Sequence, residues 1–315
     1  MLNYVSLLSP GFSGSTLTSM LLASQPGIVG FGDTYFSGRN KPGNPCTCGL
    51  PYTDCPVRQA ISAHARRNGL ADFSFFDMRA VPTPRGLSEK QQRTWFLRRS
   101  GMLPWVRAIP AAARRTLFAR FYRETDLMLA ALDDFGDYEV YFDGCKSLVR
   151  LELLRSSGHE PRALHMIRHP GAYLYHFQRG GEADLDRRLR GWLQYHSRAR
   201  AFRPLLGEEN YRLVTYEGIV SQPARFLDEV ADFMGATRID ASEPVELKQE
   251  GVHVMGNSMR RRSTTVINMA NRWRGQLEPA WERKADALVA DHEWLSNLFA
   301  PKGPADSEIP NSDAT

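Results

Sequence analysis

Short apolar runs alternate with longer segments of helical character along most of the chain. Four runs, at 4–8, 138–142, 163–167 and 211–215, have the length of buried strands and are bounded by Gly, Pro or polar residues. Helices are predicted at 17–22, 148–156, 172–178, 184–206, 224–234 and 273–290. Strands that alternate with helices favour an α/β fold, in which right-handed crossovers join the strands of a parallel sheet.

Three segments depart from this alternation. Residues 37–56 are rich in Pro and Gly and are predicted to be a loop, whereas residues 57–136 are predicted to be mostly helical, with breaks at prolines. Residues 301–315 have the composition of a disordered tail. We therefore expect one α/β domain over residues 1–300, with a helical insertion at about 57–136 that covers the carboxyl edge of the sheet.

The first apolar run leads into a Gly-rich turn and then into an apolar stretch that begins at Leu17. This order of strand, turn and helix places several backbone N–H groups at a helix N-terminus, where the helix dipole adds positive potential. Such a turn suits a phosphate, although a plain βα connection has the same pattern. The turn residues are Gly11, Phe12, Ser13, Gly14, Ser15 and Thr16.

Arg168 directly follows the predicted strand at 163–167. It therefore lies at the carboxyl edge of the sheet, where open α/β sheets bind ligands. Pro170 ends the strand and Gly171 turns the chain towards the next helix. A guanidinium at this edge suits a phosphate through bidentate hydrogen bonds, or else it pairs with a carboxylate.

Together the two elements resemble the sulfotransferase superfamily that uses 3′-phosphoadenosine 5′-phosphosulfate (PAPS). In that family the first loop reads basic-Ser-Gly-Thr/Ser-Thr and binds the 5′-phosphosulfate. The second reads Arg-Asp-Pro-Arg-Ala, with a Ser eight residues after the Arg, and binds the 3′-phosphate. Here the loops read Phe-Ser-Gly-Ser-Thr from Phe12 and Arg-His-Pro-Gly-Ala from Arg168, and His176 stands at the eighth position. The resemblance implies a three-layer, P-loop-like domain with helices on both faces of a central parallel sheet.

Four further segments match the family in chain order, within residues 4–275, and imply roles for single residues. Asp33 occupies the position of the family's Gly-Glu and is the implied general base. Lys146, after the central strand, is implied to contact the sulfuryl oxygens and the leaving phosphate. Tyr216 is implied to border adenine, or it is a core residue at the end of a strand. Arg260, in a late loop, is implied to join the 3′-phosphate site.

Phe12 is the main departure from the family pattern. It stands where the family usually has a Lys or Arg that touches the bridging oxygen of the phosphosulfate. Either another cation replaces it, with Lys146 as the predicted substitute, or the chain is slow or inactive. Asp33 is also one methylene shorter than the family's Glu, which shortens the reach of the implied base.

The resemblance implies a sulfotransferase that moves a sulfuryl group from PAPS to a hydroxyl or amine of a small molecule, a sugar or a lipid, with no metal ion required. One alternative is a non-catalytic nucleotide-binding protein that has kept the fold. The other is a P-loop kinase, which is disfavoured because the loop lacks the Gly-Lys-Ser/Thr ending that places a Lys at the β- and γ-phosphates.

The composition indicates which broad classes of protein the chain can belong to. Of 315 residues, 42% are hydrophobic and 24% charged, as in globular proteins. Apolar runs stay well short of the ~18 residues that span a membrane, and the N-terminal run lacks the basic residues of a signal peptide. These features predict a cytoplasmic protein. The net charge of +5 alone does not indicate nucleic acid binding, since no nucleic-acid module is recognisable.

The positive charge is concentrated in one segment. Between Arg85 and Arg123 there are ten basic residues and a single acid, Glu89, interleaved with aromatic side chains such as Trp105. A basic amphipathic stretch of this kind is typical of a surface that contacts membrane lipid or an amphiphilic acceptor. The alternative is an ordinary helical cap with a solvated basic face, and we favour it.

Three of the four cysteines, Cys46, Cys48 and Cys55, lie close together in the predicted loop. Such a cluster can bind zinc with His64 or Cys145 as a further ligand, but its spacing differs from the usual Cys-x₂-Cys pair. Free thiols or a disulfide are the interpretations that we favour, so that no metal site is predicted.

Overall fold

A computed structural model describes residues 2–33, 43–73, 101–241, 247, 251–255 and 271–300. Five strands form one parallel sheet in the order β2-β3-β1-β4-β5. The strands are β1 Asn3–Leu8, β2 Ile28–Gly30, β3 Val140–Asp143, β4 Arg162–Ile167 and β5 Tyr211–Thr215. The predicted α/β class with a central parallel sheet is confirmed.

Helices separate the strands and follow the last of them. The α-helices of the described residues are α1 Ser15–Ala23, α2 Pro56–Arg67, α3 Leu103–Ala108, α4 Ala111–Leu117, α5 Ala119–Phe135, α6 Leu148–Ser156, α7 Pro170–Arg179, α8 Leu185–Arg200, α9 Arg203–Leu206, α10 Tyr216–Ser221, α11 Pro223–Met234, α12 Pro279–Ala290 and α13 Glu293–Phe299. Short 3₁₀ turns occupy Tyr52–Asp54 and Glu208–Asn210.

Strands β1 to β4 are buried on both faces of the sheet, as is typical of largely apolar parallel strands, whereas β5 is partly exposed. On one face Val5, Leu7 and Phe142 pack against α1 and α11. On the other face Tyr4 and Tyr141 pack against α2, α5 and α6. The three-layer arrangement is therefore confirmed, and loops that leave the carboxyl ends of the strands meet at one edge.

Polar side chains start several of the helices that carry site residues. Ser147 accepts a hydrogen bond from the backbone N–H of Arg150 at 3.2 Å and starts α6. His169 accepts one from the N–H of Gly171, and Pro170 follows it in the first turn of α7, where a proline loses no hydrogen bond.

The structure differs from the predicted elements at three places. Strand β2 was not predicted, because three residues between Gly27 and Phe31 are too short for a periodic signal. The predicted helix at 184–206 is broken after Arg200, and Pro204 belongs to a separate short helix, since it cannot donate to a continuous one. The predicted helix at 273–290 begins only at Pro279.

Within the predicted insertion, the described residues form helices α2 to α5 with short turns between them, while residues 74–100 lie outside the described residues. Three of the five described arginines of the basic segment take part in internal ion pairs. Arg107 and Arg114 contact the buried Glu152 of α6 at 3.0 and 3.5 Å, and Arg120 contacts Glu124 at 2.6 Å. These guanidinium groups stabilise the packing of the insertion on the sheet, in line with the cap interpretation. No described helix is both long enough and apolar enough to cross a membrane.

A chain of buried aromatic and imidazole groups joins β4, α8 and β5. Nδ1 of His165 contacts the hydroxyl of Tyr211. Nε2 of His165 lies 2.8 Å from Nδ1 of His196. Burial lowers the pKa of His165 to about 3 and holds the pKa of His196 well below its usual value. Burial also lowers the pKa of His169 to about 4. All three imidazoles are therefore neutral in the fold near neutral pH.

We expect the fold to lose stability in mild acid. Below about pH 6.5 the unfolded chain protonates these three histidines while the folded chain does not, so the free energy of unfolding falls by about 1.4 kcal/mol per pH unit for each. Urea titrations at pH 7.5 and 5.5 measure this difference, and the half-exposed His292 provides a control variant, His292→Gln, that should keep it. Equal stability at the two pH values would contradict the neutral assignment.

Candidate functional site

All five strands deliver a candidate residue to the same edge of the sheet. The Gly-rich turn follows β1, Asp33 follows β2, Lys146 follows β3, and Arg168 and Tyr216 directly follow β4 and β5. Strand β1 lies at the centre, between β3 and β4, so the turn stands where the strand order reverses. This position is the usual ligand site of an open α/β sheet.

The turn after β1 has an unusual backbone. Gly14 has φ 92° and precedes the first turn of α1, and Phe12 has φ 67° without being a glycine. A Cβ atom on Gly14 would lie 2.1 Å from the ring of Tyr216, so only glycine fits against this ring. Gly14 has no side chain that could cap α1, and the first N–H groups of the helix remain available to a ligand.

Buried polar atoms in and around the turn are also consistent with a phosphate site. The Oγ atoms of Ser9 and Ser13 are buried and have no hydrogen-bond partner, and neither has the Nε of Arg168. Buried polar atoms in folded proteins nearly always have partners. A phosphate at this turn would supply acceptors for such donors.

Arg168 lies next to the turn. Its Nη1 donates to the carbonyl oxygen of Phe12 at 3.2 Å, and its guanidinium lies 4.7 Å from the centre of the Tyr216 ring. His176, on α7, stacks on Phe12 at 3.9 Å between ring centres. Burial, together with the charges of Arg168 and Arg179, lowers the pKa of His176. The structure thus brings Arg168 and His176 into contact with the Gly-rich turn.

Tyr216 is buried and packs in the core below the turn. Gly14 covers one side of its ring, and the guanidinium of Arg168 lies near the ring. This environment agrees with the second interpretation from the sequence, in which Tyr216 is a core residue at the end of a strand. Tyr216 therefore supports the turn, and a contact with adenine stays a prediction. Arg260 lies outside the described residues.

Lys146 connects the turn with the candidate base. Its Nζ atom lies 2.8 Å from Oδ2 of Asp33 and 3.2 Å from Oγ of Ser15. The side chains of Lys146 and Asp33 are 10% and 16% exposed, so this ion pair is largely shielded from water but open on one side. One ammonium group thus lies between the start of α1 and a carboxylate, where an anion and a hydroxyl could meet.

The backbone at Lys146 is held in a left-handed conformation, φ 59°. Tyr195 donates to its carbonyl oxygen at 3.0 Å. Below it, Oδ1 of Asp143 accepts the N–H of Cys145 at 3.0 Å, and Oδ2 pairs with Arg150 at 2.8 Å. These contacts fix the turn after β3, and sequence reasoning missed Tyr195 because it lies on a distant helix.

Asp33 is placed by a contact that is remote in sequence. Gly32 pairs with Met255 as an isolated parallel bridge, and the N–H of Asp33 donates to the Met255 carbonyl oxygen at 3.3 Å. A Cβ atom on Gly32 would lie 2.2 Å from that oxygen, so the approach requires glycine.

Two histidines of β4 and the loop after it, His165 and His169, could also be considered as bases, but both are engaged elsewhere. His169 accepts the N–H of Gly171 and stacks on Trp273. His165 is fully buried and bonded to Tyr211 and His196.

The chain has the fold of the sulfotransferase superfamily. The sulfotransferase domain from the olefin synthase of Synechococcus PCC 7002 is similar over 96% of this chain and 98% of that domain, with 19% identity and a TM-score of 0.54. The sulfotransferase domain from the curacin biosynthetic pathway aligns over 91% and 98%, with 15% identity and a TM-score of 0.47, too low to support an argument. No protein-family model and no curated protein sequence matches the chain. At 19% identity the likeness establishes the fold alone.

Proposed function

We propose that the chain is a sulfotransferase that moves a sulfuryl group from PAPS to a hydroxyl or amine acceptor. The observation that carries this proposal is the position of the Lys146 ammonium, between Ser15 at the start of α1 and the carboxylate of Asp33. Sulfuryl transfer needs a cation at the transferring group, a base for the acceptor and fixed geometry, and these three requirements meet at this point.

The donor is assigned to the turn and its neighbours. The turn from Gly11 to Thr16 would hold the 5′-phosphosulfate through backbone N–H groups and serine hydroxyls. Arg168 and His176, on the far side of Phe12, would hold the 3′-phosphate, with Arg260 as a further predicted contact. The partnerless Nε of Arg168 supports this assignment, because a phosphate accepts from a guanidinium in a bidentate manner.

In the proposed reaction the acceptor oxygen attacks the sulfur atom of PAPS. The bond between sulfur and the bridging phosphate oxygen breaks, and its electron pair leaves with the 5′-phosphate of 3′-phosphoadenosine 5′-phosphate (PAP). Asp33 takes the acceptor proton, and Lys146 compensates the charge on the sulfuryl and bridging oxygens. Lys146 must shift from Asp33 towards the donor, which at the same time frees the carboxylate to act as a base.

The acceptor class stays a broader proposal: a small alcohol, a sugar, or an amphiphile such as a glycolipid. Arg107, Arg114 and Arg120 bind internal carboxylates, whereas Arg115 and Arg123 are exposed, so much of the case for a lipid surface depends on residues 85–100, outside the described ones. A cytoplasmic location likewise stays a prediction.

One observation favours a second candidate, a nucleotide-binding protein without turnover. Phe12 is exposed and stacked on His176, so the usual cation of the turn is replaced by an aromatic ring. Incubation of the protein with PAPS and a metabolite extract, followed by mass spectrometry of sulfated products, separates the two. Products favour the transferase, whereas tight PAP binding without any product favours the second candidate.

We expect the chain to bind PAP more tightly than AMP, because Arg168 and His176 face the additional 3′-phosphate. Arg168→Ala should weaken PAP binding by about 1.5–3 kcal/mol, the usual contribution of a hydrogen bond to a charged group, and change AMP binding little. Titration calorimetry measures both ligands. Arg225→Ala, at an exposed arginine of α11, is the control. Equal affinity of the wild type for PAP and AMP would contradict the assignment of Arg168 and His176 to the 3′-phosphate.

A further inference from the structure

We infer that Cys46, Cys48, Cys55 and His253 form a structural zinc site. The three sulfur atoms and a ring nitrogen of His253 all lie within 4.8 Å of one another. Cys46, Cys55 and His253 are buried and Cys48 is half-buried. Three cysteines and one histidine are a common donor set of structural zinc sites.

The distances match a tetrahedral ion. With zinc bonds of about 2.3 Å to sulfur and about 2.0–2.1 Å to nitrogen, a tetrahedral site places sulfur and nitrogen ligand atoms about 3.6 Å apart. Nδ1 of His253 lies 3.3 Å from Sγ of Cys55 and 4.0 Å from Sγ of Cys46, on either side of that value. These two separations, together with a spread of at most 4.8 Å among all four ligand atoms, fit the size of a tetrahedral zinc site.

The backbone holds the ligands in this arrangement from two distant parts of the chain. In the first part, the N–H of Cys46 donates to the carbonyl oxygen of Leu50 at 2.7 Å, and that of Gly49 donates to Cys46 at 3.1 Å. The hydroxyl of Thr47 then joins this turn to the second part, because it donates to the carbonyl oxygen of Val252 and accepts the N–H of Val254 at 3.0 Å. Thr47 and Val254 therefore bring His253 to the cysteines.

Arg58 balances the charge of the site. Zinc with three thiolates and a neutral imidazole has a net charge of −1. The guanidinium of Arg58 is buried, donates to Sγ of Cys46 at 3.0 Å and donates to the carbonyl oxygen of His253 at 2.7 Å. A buried cation needs a nearby negative charge, and groups around the ligands commonly orient a zinc site in this way.

The ligand set differs from the one that the sequence suggested. His64 pairs with Asp134 at 3.3 Å, and Cys145 is buried in the turn after β3, so neither belongs to the cluster. His253 lies almost 200 positions from Cys55, at a separation that no sequence motif covers. Four protein ligands complete a tetrahedral coordination, which assigns a structural role to the ion and not a catalytic one.

The site lies close to the candidate base. Met255, two residues after His253, pairs with Gly32 and accepts the N–H of Asp33. A zinc ion would therefore fasten the loop at 43–55 to the segment that positions Asp33.

The test measures metal content and does not depend on turnover. The untagged full chain, purified with zinc in the medium and under reducing conditions, is expected to contain about one zinc per chain by elemental mass spectrometry. Cys46→Ser and Cys55→Ser should lose most of it, whereas Cys145→Ser, at a buried cysteine outside the cluster, should retain it.

X-ray absorption of the wild-type protein decides the question even if the variants do not fold. Three sulfur ligands at about 2.3 Å and one nitrogen ligand at about 2.0 Å are expected. Removal of the metal with a chelator should lower the melting temperature, and addition of zinc should restore it. A chain without zinc, zinc retained in both cluster variants, or a disulfide between Cys46 and Cys55 in the reduced preparation would each overturn the inference. Zinc without sulfuryl transfer would leave it intact and contradict only the proposed function.

Discussion

Replacement of Lys146 by methionine is expected to lower the rate of sulfuryl transfer by about 10³-fold, as loss of a cation at a transferring phosphoryl group does. Methionine keeps most of the length of the side chain and removes its charge. The effect should be large because Phe12 stands where the family that the chain resembles usually has a Lys or Arg, and the Lys146 ammonium lies at the start of α1 beside Ser15. Single-turnover rates with saturating PAPS measure it.

Nucleotide affinity distinguishes a catalytic role of Lys146 from a structural one. PAP binding should weaken far less than the rate, since Arg168 and the backbone of the turn are expected to provide most of the binding. Lys284→Met, at a half-exposed lysine on α12, is the matched control and should leave both quantities unchanged. A transfer rate near that of the wild type in Lys146→Met would show that another group supplies the charge. Phe12→Arg adds a positive charge to the turn. Combined with Lys146→Met, it should partly restore the transfer rate.

Asp33→Asn is expected to reduce turnover by about 10²- to 10⁴-fold, the usual contribution of a general base. Asparagine keeps the shape of the side chain but cannot take the acceptor proton. PAP affinity should stay close to that of the wild type, because the proposed role of Asp33 is to contact the acceptor, while its ion-pair partner Lys146 remains in place. Asp228→Asn, at an exposed position of α11, is the control.

The loss of a base must also be separated from the loss of the ion pair with Lys146. Asp33→Glu keeps a carboxylate and matches the length found in the related family, so it should retain much more activity than Asp33→Asn. If Asp33→Asn turned over a hydroxyl acceptor at an undiminished rate, the proton would have to leave through another group.

The sequence was most informative where local order determines structure. A strand, a Gly-rich turn and a helix follow one another at the N-terminus, so the turn and its helix could be predicted from a few residues. The location of Lys146 and Arg168 at one edge also followed, because parallel strands bring their carboxyl ends together. The short strand β2, by contrast, exists because β3 and the helices around it bury three residues, and no periodic pattern marks it.

Contacts between remote residues could not be predicted. The basic segment contains one acid in its own sequence, yet its arginines find Glu152 on α6. The position of Asp33 likewise depends on Met255, and the cysteine cluster meets His253 and not His64. In each case the packing of the layers determines which residues come into contact, and a single sequence does not reveal this packing.

Among the described residues, Phe12 and Lys146 are the non-glycine residues with left-handed φ, at 67° and 59°. Each such conformation costs roughly 1–2 kcal/mol relative to a glycine, and the rest of the fold must sustain it. Selection for heat resistance alone would therefore favour glycine at positions 12 and 146. At position 146, glycine would relieve the backbone strain but would remove the ammonium group beside Asp33. Stabilising substitutions should therefore be placed away from this edge of the sheet.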